Sequence, residues 1–181
     1  ISITNWLSAI NAGKKGYAPQ DTYLINPQTL TVTNDLYIEC HPNAIFKLTT
    51  DASSPLIDLF TKAEDLHKYT LHWKGGTINL QDAKFLKAQA SGEGLKPRGL
   101  ARVRFENIYF FANRSYKNAT DGGRGGDSGI IPIHCRSITI TECEFEGLAD
   151  QGIYVIGTDL SDLTVSNNVF RKCFTASRFT K

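Results

Sequence analysis

The sequence contains no methionine, not even at position 1, and its four cysteines form no Cys-x-x-Cys pair. The first absence raises the expectation that the chain starts inside a longer translated product. The second removes the spacing that zinc sites and dithiol redox centres need. Cys40, Cys135, Cys143 and Cys173 are therefore expected as buried free thiols, with no metal and no cofactor. No apolar run approaches the ~20 residues of a membrane span, and no basic-then-apolar leader is present, so no membrane partner is expected. The formal net charge of +2 over 181 residues falls short of the basic stripe that nucleic-acid binding requires. Heptads are missing, and helical periods occur only near the start, which argues against a bundle. Asn-Gly hairpin signals between strands are missing too, which argues against an antiparallel sandwich. With 41% apolar and 21% charged residues, the composition is that of a folded domain.

What is present begins with a misleading string. Gly126-Asp127-Ser128-Gly129 carries the letters found around the nucleophile of trypsin-like proteases. Such a serine needs a histidine base oriented by a buried aspartate. The preceding histidines, His41, His67 and His72, stand in no context of that kind. Ser128 is therefore expected to be an ordinary surface residue, its replacement by alanine costing under about 0.5 kcal/mol.

The same string recurs. Asp127-Ser128-Gly129-Ile130 is answered 23 residues later by Asp150-Gln151-Gly152-Ile153, so the serine is the variable letter. Behind each copy lies a second recurring pattern: SITITECEF ending at Phe145 and DLTVSNNVF ending at Phe170. Val103, Phe105, Ile108 and Phe110 fit the template, as do Leu71, Trp73, Gly76 and Ile78, and in part Leu36 and Ile38. Each unit is an apolar pair at i and i+2, a kink, and another such pair, and period-2 alternation means strands. Gly75, Asn107 and Asn167 occupy the kink, where a left-handed backbone suits Gly and Asn; Glu142 is the exception. Short strands recurring at roughly 22–35 residues describe stacked coils. Pro132 falls on an inward position, where it lacks the N–H a ladder would use.

These units resemble the right-handed parallel β-helix of the pectate-lyase-like superfamily. The segment NWLSAINAGKKGYAPQDTYLI, with Trp6, Leu7, Ala9, Ile10 and Ala12 on a short amphipathic helix ending at Gly13, is similar to the N-terminal cap of bacteriophage tailspikes. The resemblance implies an all-β fold: a right-handed single-stranded parallel β-helix with a short N-terminal capping helix. Residues 1–48 would be the cap helix and first strands, and 49–181 the coils of one continuous domain, shortened at the C-terminus. It further implies a homotrimer on the virion tail, joined to other tail proteins, that recognises bacterial surface polysaccharide. Depolymerase activity, glycosidase or lyase, is left open by the resemblance. The alternatives are a secreted bacterial carbohydrate-active enzyme of the same fold and a non-enzymatic adhesin or structural stalk. The superfamily's calcium-binding carboxylates and its Asp-Asp and Gly-His-Gly strings are absent.

Two long excursions, 81–99 and 112–126, leave from one corner of successive coils. They are expected to wall a groove over the outward face bearing Ile131 and Tyr154, the first with a helix over 82–92. Asp127 and Asp150 hold equivalent places on consecutive coils, ~4.8 Å apart in backbone, close to the ~5–5.5 Å of retaining glycosidases. Such closeness raises one carboxyl pKa and supplies a general acid. The more ordinary role of an Asp before Gly-Ile, and the preferred reading of this pair, is to cap a tight corner through backbone N–H groups. Glu144, outward on its strand, and Asp121 are the other catalytic candidates. Tyr154 is a stacking platform for a sugar, with Tyr116, Arg114 and Arg124 as further substrate-binding candidates.

Overall fold

The structure, a computed structural model, describes residues 3–48, 56–80, 94–112 and 128–180. Helix α1 (Ile3–Asn11) buries Leu7 and Ile10, three positions apart and therefore on one face. Its end is closed by Gly13 at φ 88°, whose N–H donates to the Ile10 carbonyl at 2.9 Å. Trp6 is partly buried, stacking on Phe46 at 6.0 Å and meeting Trp73 edge-on at 6.5 Å. Ala12, expected on the buried face, lies past the helix and is exposed.

Strands follow in rounds of three. The first round holds β1 (Gly16–Ala18), β2 (Thr22–Ile25) and β3 (Gln28–Thr31). The second holds β4 (Leu36–Cys40), β5 (Ile45–Leu48) and β6 (Ile57–Phe60), and the third β7 (Thr70–Lys74), β8 (Thr77–Asn79) and β9 (Leu95–Arg98). The fourth has β10 (Arg102–Glu106), β11 (Tyr109–Phe111) and the segment 130–133. The fifth has β12 (Ser137–Thr141), β13 (Glu144–Glu146) and β14 (Gln151–Ile156), and the sixth β15 (Asp162–Ser166), β16 (Val169–Arg171) and β17 (Thr175–Thr180). Each strand pairs in parallel with its counterpart in the next round. The first sheet runs β1-β4-β7-β10-β12-β15 and the second β2-β5-β8-β11-β13-β16. The third joins β3-β6-β9 to β14-β17 through bridges at Ile130 and Ile133. The chain thus visits three parallel sheets in one repeating order, an all-β course preceded, among the described residues, by one α-helix.

Alternation decides what lies inside. Leu36, Leu71, Val103 and Ile138 form one inward column of the first sheet, and Ile38, Trp73, Phe105 and Ile140 the next. In the second sheet Phe110, Phe145 and Phe170 stand in register, their rings nearly parallel with centroids 4.9 Å apart. That spacing is the strand spacing itself, so the backbone ladder sets the ring stack. Val165 and Phe170, expected inside, hold inward positions but are only partly buried. They belong to the sixth round, where Leu163, Val169, Phe174 and Phe179 are between 38% and 55% exposed.

The recurring Asp-x-Gly-Ile now has a steric reason. A Cβ on Gly129 would lie 2.7 Å from the Gly152 carbonyl oxygen and 2.7 Å from Phe145 Cδ1; one on Gly152 would lie 2.5 Å from Phe170 Cε1. Gly94 repeats the arrangement 2.5 Å from the Gly129 carbonyl. A glycine column therefore packs against the phenylalanine column, leaving no room for a side chain. At the corner between the first and second sheets, Gly75, Asn107, Glu142 and Asn167 all have φ between 55° and 79°. Glu142 departs from the pattern in residue type, not in conformation. Asn168 holds this corner between rounds: its Oδ1 accepts the Cys143 N–H at 2.8 Å and its Nδ2 donates to the Ile140 carbonyl at 2.8 Å.

Pro132 is tolerated because the ladder bypasses its nitrogen. Ile131 and Ile133 donate to Leu95 and Pro97 on one side, while the Pro132 carbonyl accepts from Ile156 on the other. The cost is a strand reduced to two bridges. The cysteines are free thiols: Cys40, Cys135 and Cys143 are buried and Cys173 partly so. Burial pushes the Cys40 and Cys143 thiols up to about 12 and Cys135 to about 11, so they stay protonated.

Candidate functional site

The corner between the third and first sheets carries a different cargo. His67 follows a 3₁₀ turn (Ala63–Asp65), and His134 follows the segment 130–133; both have left-handed backbones, φ 59° and 51°. His67 Nε2 lies 2.8 Å from the His134 carbonyl oxygen, and His134 Nδ1 lies 3.2 Å from Asp159 Oδ2. The same Oδ2 is 3.7 Å from His67 Nε2. A carbonyl and a carboxylate only accept, so the tautomers follow: His67 carries its proton on Nε2, and His134 carries one on Nδ1. A neutral His134 then keeps its Nε2 lone pair unused among the described residues.

The surrounding backbone is cut to fit. Gly99 and Gly157 occupy the His134 position in the adjacent rounds, at φ 73° and 126°. A Cβ on Gly157 would lie 2.8 Å from His134 Nδ1, so only glycine lets the imidazole lie flat against the next round. The His67 N–H donates to the Gly99 carbonyl at 2.7 Å, and its ring passes that position to reach His134. The His67 side chain is 8% exposed and that of His134 51% exposed. One imidazole is a buried support and the other faces solvent.

His134 and Asp159 line a cleft of about 600 Å³ with Phe60, Lys96, Arg98 and Ile133. Arg98 makes a two-pronged bond to Asp58, Nε to Oδ1 at 2.9 Å and Nη2 to Oδ2 at 2.6 Å, and its guanidinium lies over the Phe60 ring at 5.2 Å. Among the described residues, Asp58 is thus engaged by a guanidinium and Asp159 by imidazoles. What the cleft can do chemically is accept a proton at His134 and present to an anion the part of the Arg98 guanidinium that Asp58 leaves open, the side chain being 41% exposed.

The outer faces of the first and second sheets carry ion pairs. On the first sheet, His72 Nε2 donates to Glu106 Oε2 at 2.6 Å, and Arg104 binds the other oxygen. The Arg104 bond, and less strongly that of His72, holds the Glu106 carboxyl below its ordinary range against a smaller opposing effect of burial. On the second sheet, Tyr109 donates to Glu146 at 2.9 Å, and Lys172 approaches the same carboxylate at 3.4 Å.

The residues expected from sequence are dispersed. Glu144 projects from the second sheet, paired with Arg171 of the next round. Tyr154 projects from the third sheet beside the Arg178 guanidinium, 5.2 Å from its ring centroid. Glu144 and Tyr154 therefore lie on different faces. Asp150 sits just before β14, its Oδ1 accepting from the Gln151 amide and its carbonyl accepting the Thr175 N–H at 3.1 Å. Asp127, Asp121, Tyr116, Arg114 and Arg124, the expected helix 82–92 and most of both excursions lie outside the described residues. Ile131, expected on the open face with Tyr154, is only 3% exposed.

Ser128 is a correction. It is 1% exposed, and its hydroxyl donates to Gln151 Oε1 at 3.2 Å, the equivalent position one round on. Stacking puts the variable letters of the repeat in contact inside the molecule, so the serine is buried and spent on an amide.

Sequence reasoning missed His67, His134, Asp159, Arg98 and Asp58. One signal was within reach: the repeat aligns Ile133 with Ile156, and the next step aligns His134 with Gly157. A bulky polar residue opposite a glycine marks a place where a ring lies across its neighbour. No known family model, curated protein or solved structure matches the chain.

Proposed function

We propose that the chain is a right-handed parallel β-helix that recognises an acidic bacterial surface polysaccharide and cleaves it at the His134 cleft. The handedness rests on the rule that a parallel strand–crossover–strand connection is right-handed in about 98% of cases. Polysaccharide recognition, a homotrimeric state and a place on the virion tail with other tail proteins rest on the resemblance to tailspikes. A secreted bacterial enzyme of the same fold would use the cleft in the same way.

The observation that carries the reading is the oriented imidazole. With Nδ1–H given to Asp159, His134 Nε2 is set up as a general base. Hydrolysis with retention needs two carboxyl groups at liberty to act as nucleophile and acid, and among the described residues Asp58 and Asp159 are engaged. Elimination needs only a base and a cation. His134 Nε2 takes the proton from the carbon next to a uronate carboxylate, and the C–H electron pair becomes the carbon–carbon double bond. The C–O bond to the leaving sugar breaks with its electrons, and that oxygen takes a proton from water. Arg98 balances the charge that spreads onto the carboxylate.

The test is ultraviolet absorbance of unsaturated uronosyl ends released from a panel of purified uronate-containing capsular polysaccharides. Wild type should release them; His134→Ala should lose on the order of 10²–10⁴ in rate, and Asp159→Asn should lower kcat more than it raises KM. Cleavage that yields only saturated reducing ends, or a His134→Ala protein as active as wild type, refutes the elimination.

A further inference from the structure

A second depression lies at the N-terminal end of the rounds, between α1 and the first strands. It holds about 270 Å³, small against the ~300–1,000 Å³ of sites for drug-sized ligands. Its walls carry four aromatic rings, Trp6, Tyr17, Tyr23 and Phe46, and among the described residues its only charged lining residue is Asp21.

The walls are fixed by the core. Phe46 is 1% exposed, with Tyr23 stacked on it at 5.2 Å and 20° and Trp6 at 6.0 Å and 28°. The Tyr23 hydroxyl donates to the Pro19 carbonyl at 2.9 Å, so its polar end is spent on the backbone and its ring serves as wall. Burial, and next the Asp21 charge, raise the Tyr23 phenol above its ordinary value, which keeps it neutral. Tyr17 is 57% exposed. Its strand points Gly16 and Ala18 inward and Tyr17 out, so the core does not need its ring.

Aromatic faces carry the negative part of the ring quadrupole, and a carboxylate is negative outright. A pocket built from both, with no cation lining it, is complementary to a positive group whose bulk is apolar. We propose that it binds a quaternary ammonium group, the headgroup chemistry of choline. A sugar hydroxyl cluster would ask for several convergent donors and acceptors, which the four rings do not supply. This proposal is independent of the polysaccharide reading.

Trp6 lines the pocket and Trp73 meets it edge-on, so intrinsic tryptophan fluorescence reports occupancy. The probes are choline, tetramethylammonium and the neutral analogue of choline in which carbon replaces nitrogen. Both cations should give a saturable change, with the neutral analogue roughly tenfold weaker or worse. Tyr17→Ala and Asp21→Asn, at exposed positions, should each weaken the cations several-fold with the melting temperature unchanged. Equal binding of the neutral analogue would make the pocket a plain apolar cavity and overturn the proposal. So would an unsaturable signal, or cation affinity unchanged in both variants. His134→Ala should leave cation binding untouched.

Discussion

Two corners of the molecule use one backbone device for different ends. Between the first and second sheets, left-handed residues turn the chain at Gly75, Asn107, Glu142 and Asn167. Between the third and first sheets the same conformation recurs at His67 and His134, but there it aims two imidazoles at one carboxylate. At the first corner the side chain is incidental, and Gly or Asn is preferred because left-handed backbone strains other residues least. At the second, glycine is displaced to the neighbouring rounds: at Gly157 its lack of a side chain makes room for the His134 ring, and at Gly99 for Thr61 and Leu66. Glycine opposite histidine, rather than glycine at the turn, distinguishes a corner used for chemistry.

The comparison presumes a rigid frame, and the most severe test acts on the columns beside the first corner. Phe145→Ala opens the middle of the ring stack and should cost ~3–5 kcal/mol in denaturant unfolding. Gly129→Ala forces a methyl group against the Gly152 carbonyl and Phe145 and should cost about 1–3 kcal/mol as overpacking. Gly129→Ala melting at the wild-type temperature would mean that the glycine and phenylalanine columns are not in contact.

A smaller loss is expected inside the third sheet. Ser128→Ala removes a buried donor and leaves Gln151 Oε1 short of one, at about 1–2 kcal/mol. The sequence reading of Ser128 as a surface residue gives under about 0.5 kcal/mol, so one melting curve separates the two.

The smallest effect concerns acid. The Glu106 carboxyl is held below its ordinary value of 4.5, mainly by Arg104. Its contribution to stability is therefore complete above pH 4.5 and is lost as pH falls through the lowered folded value. Glu106→Gln should remove that part of the acid dependence, under about 1 kcal/mol for a partly exposed ion pair. Stability curves of wild type and Glu106→Gln that stay parallel down to acid unfolding would show that the pair contributes nothing.

The first corner was legible in the sequence because its causes are local and repeated. The kink lies between two apolar pairs at fixed spacing, and Asn107 and Asn167 recur at its centre. The glycines of Asp-x-Gly-Ile recur for the steric reason that the phenylalanine column imposes. The second corner leaves only one trace, His134 aligned with Gly157 in the repeat. His67 and His134 are 67 residues apart, and His134 and Asp159 are 25 apart without any matching motif. They meet only because the connections between the third and first sheets differ in length from round to round, a quantity that period-2 alternation does not encode. Ser128 was misplaced for a related reason: alternation assigns a residue to a face, but not to what the next round lays on top of it. Glu144 was placed outward correctly, yet its partner Arg171 comes from the following round.

The most direct test of the contrast is to put glycine at one left-handed position in each corner and measure uronate-polysaccharide cleavage side by side. Glu142→Gly and His134→Gly both relieve left-handed strain and should fold with stability within about 1 kcal/mol of wild type. The account predicts that Glu142→Gly cleaves at the wild-type rate, whereas His134→Gly loses on the order of 10²–10⁴ in rate. Two folded variants of equal activity would contradict it, because the third-to-first corner would then be a turn like the other.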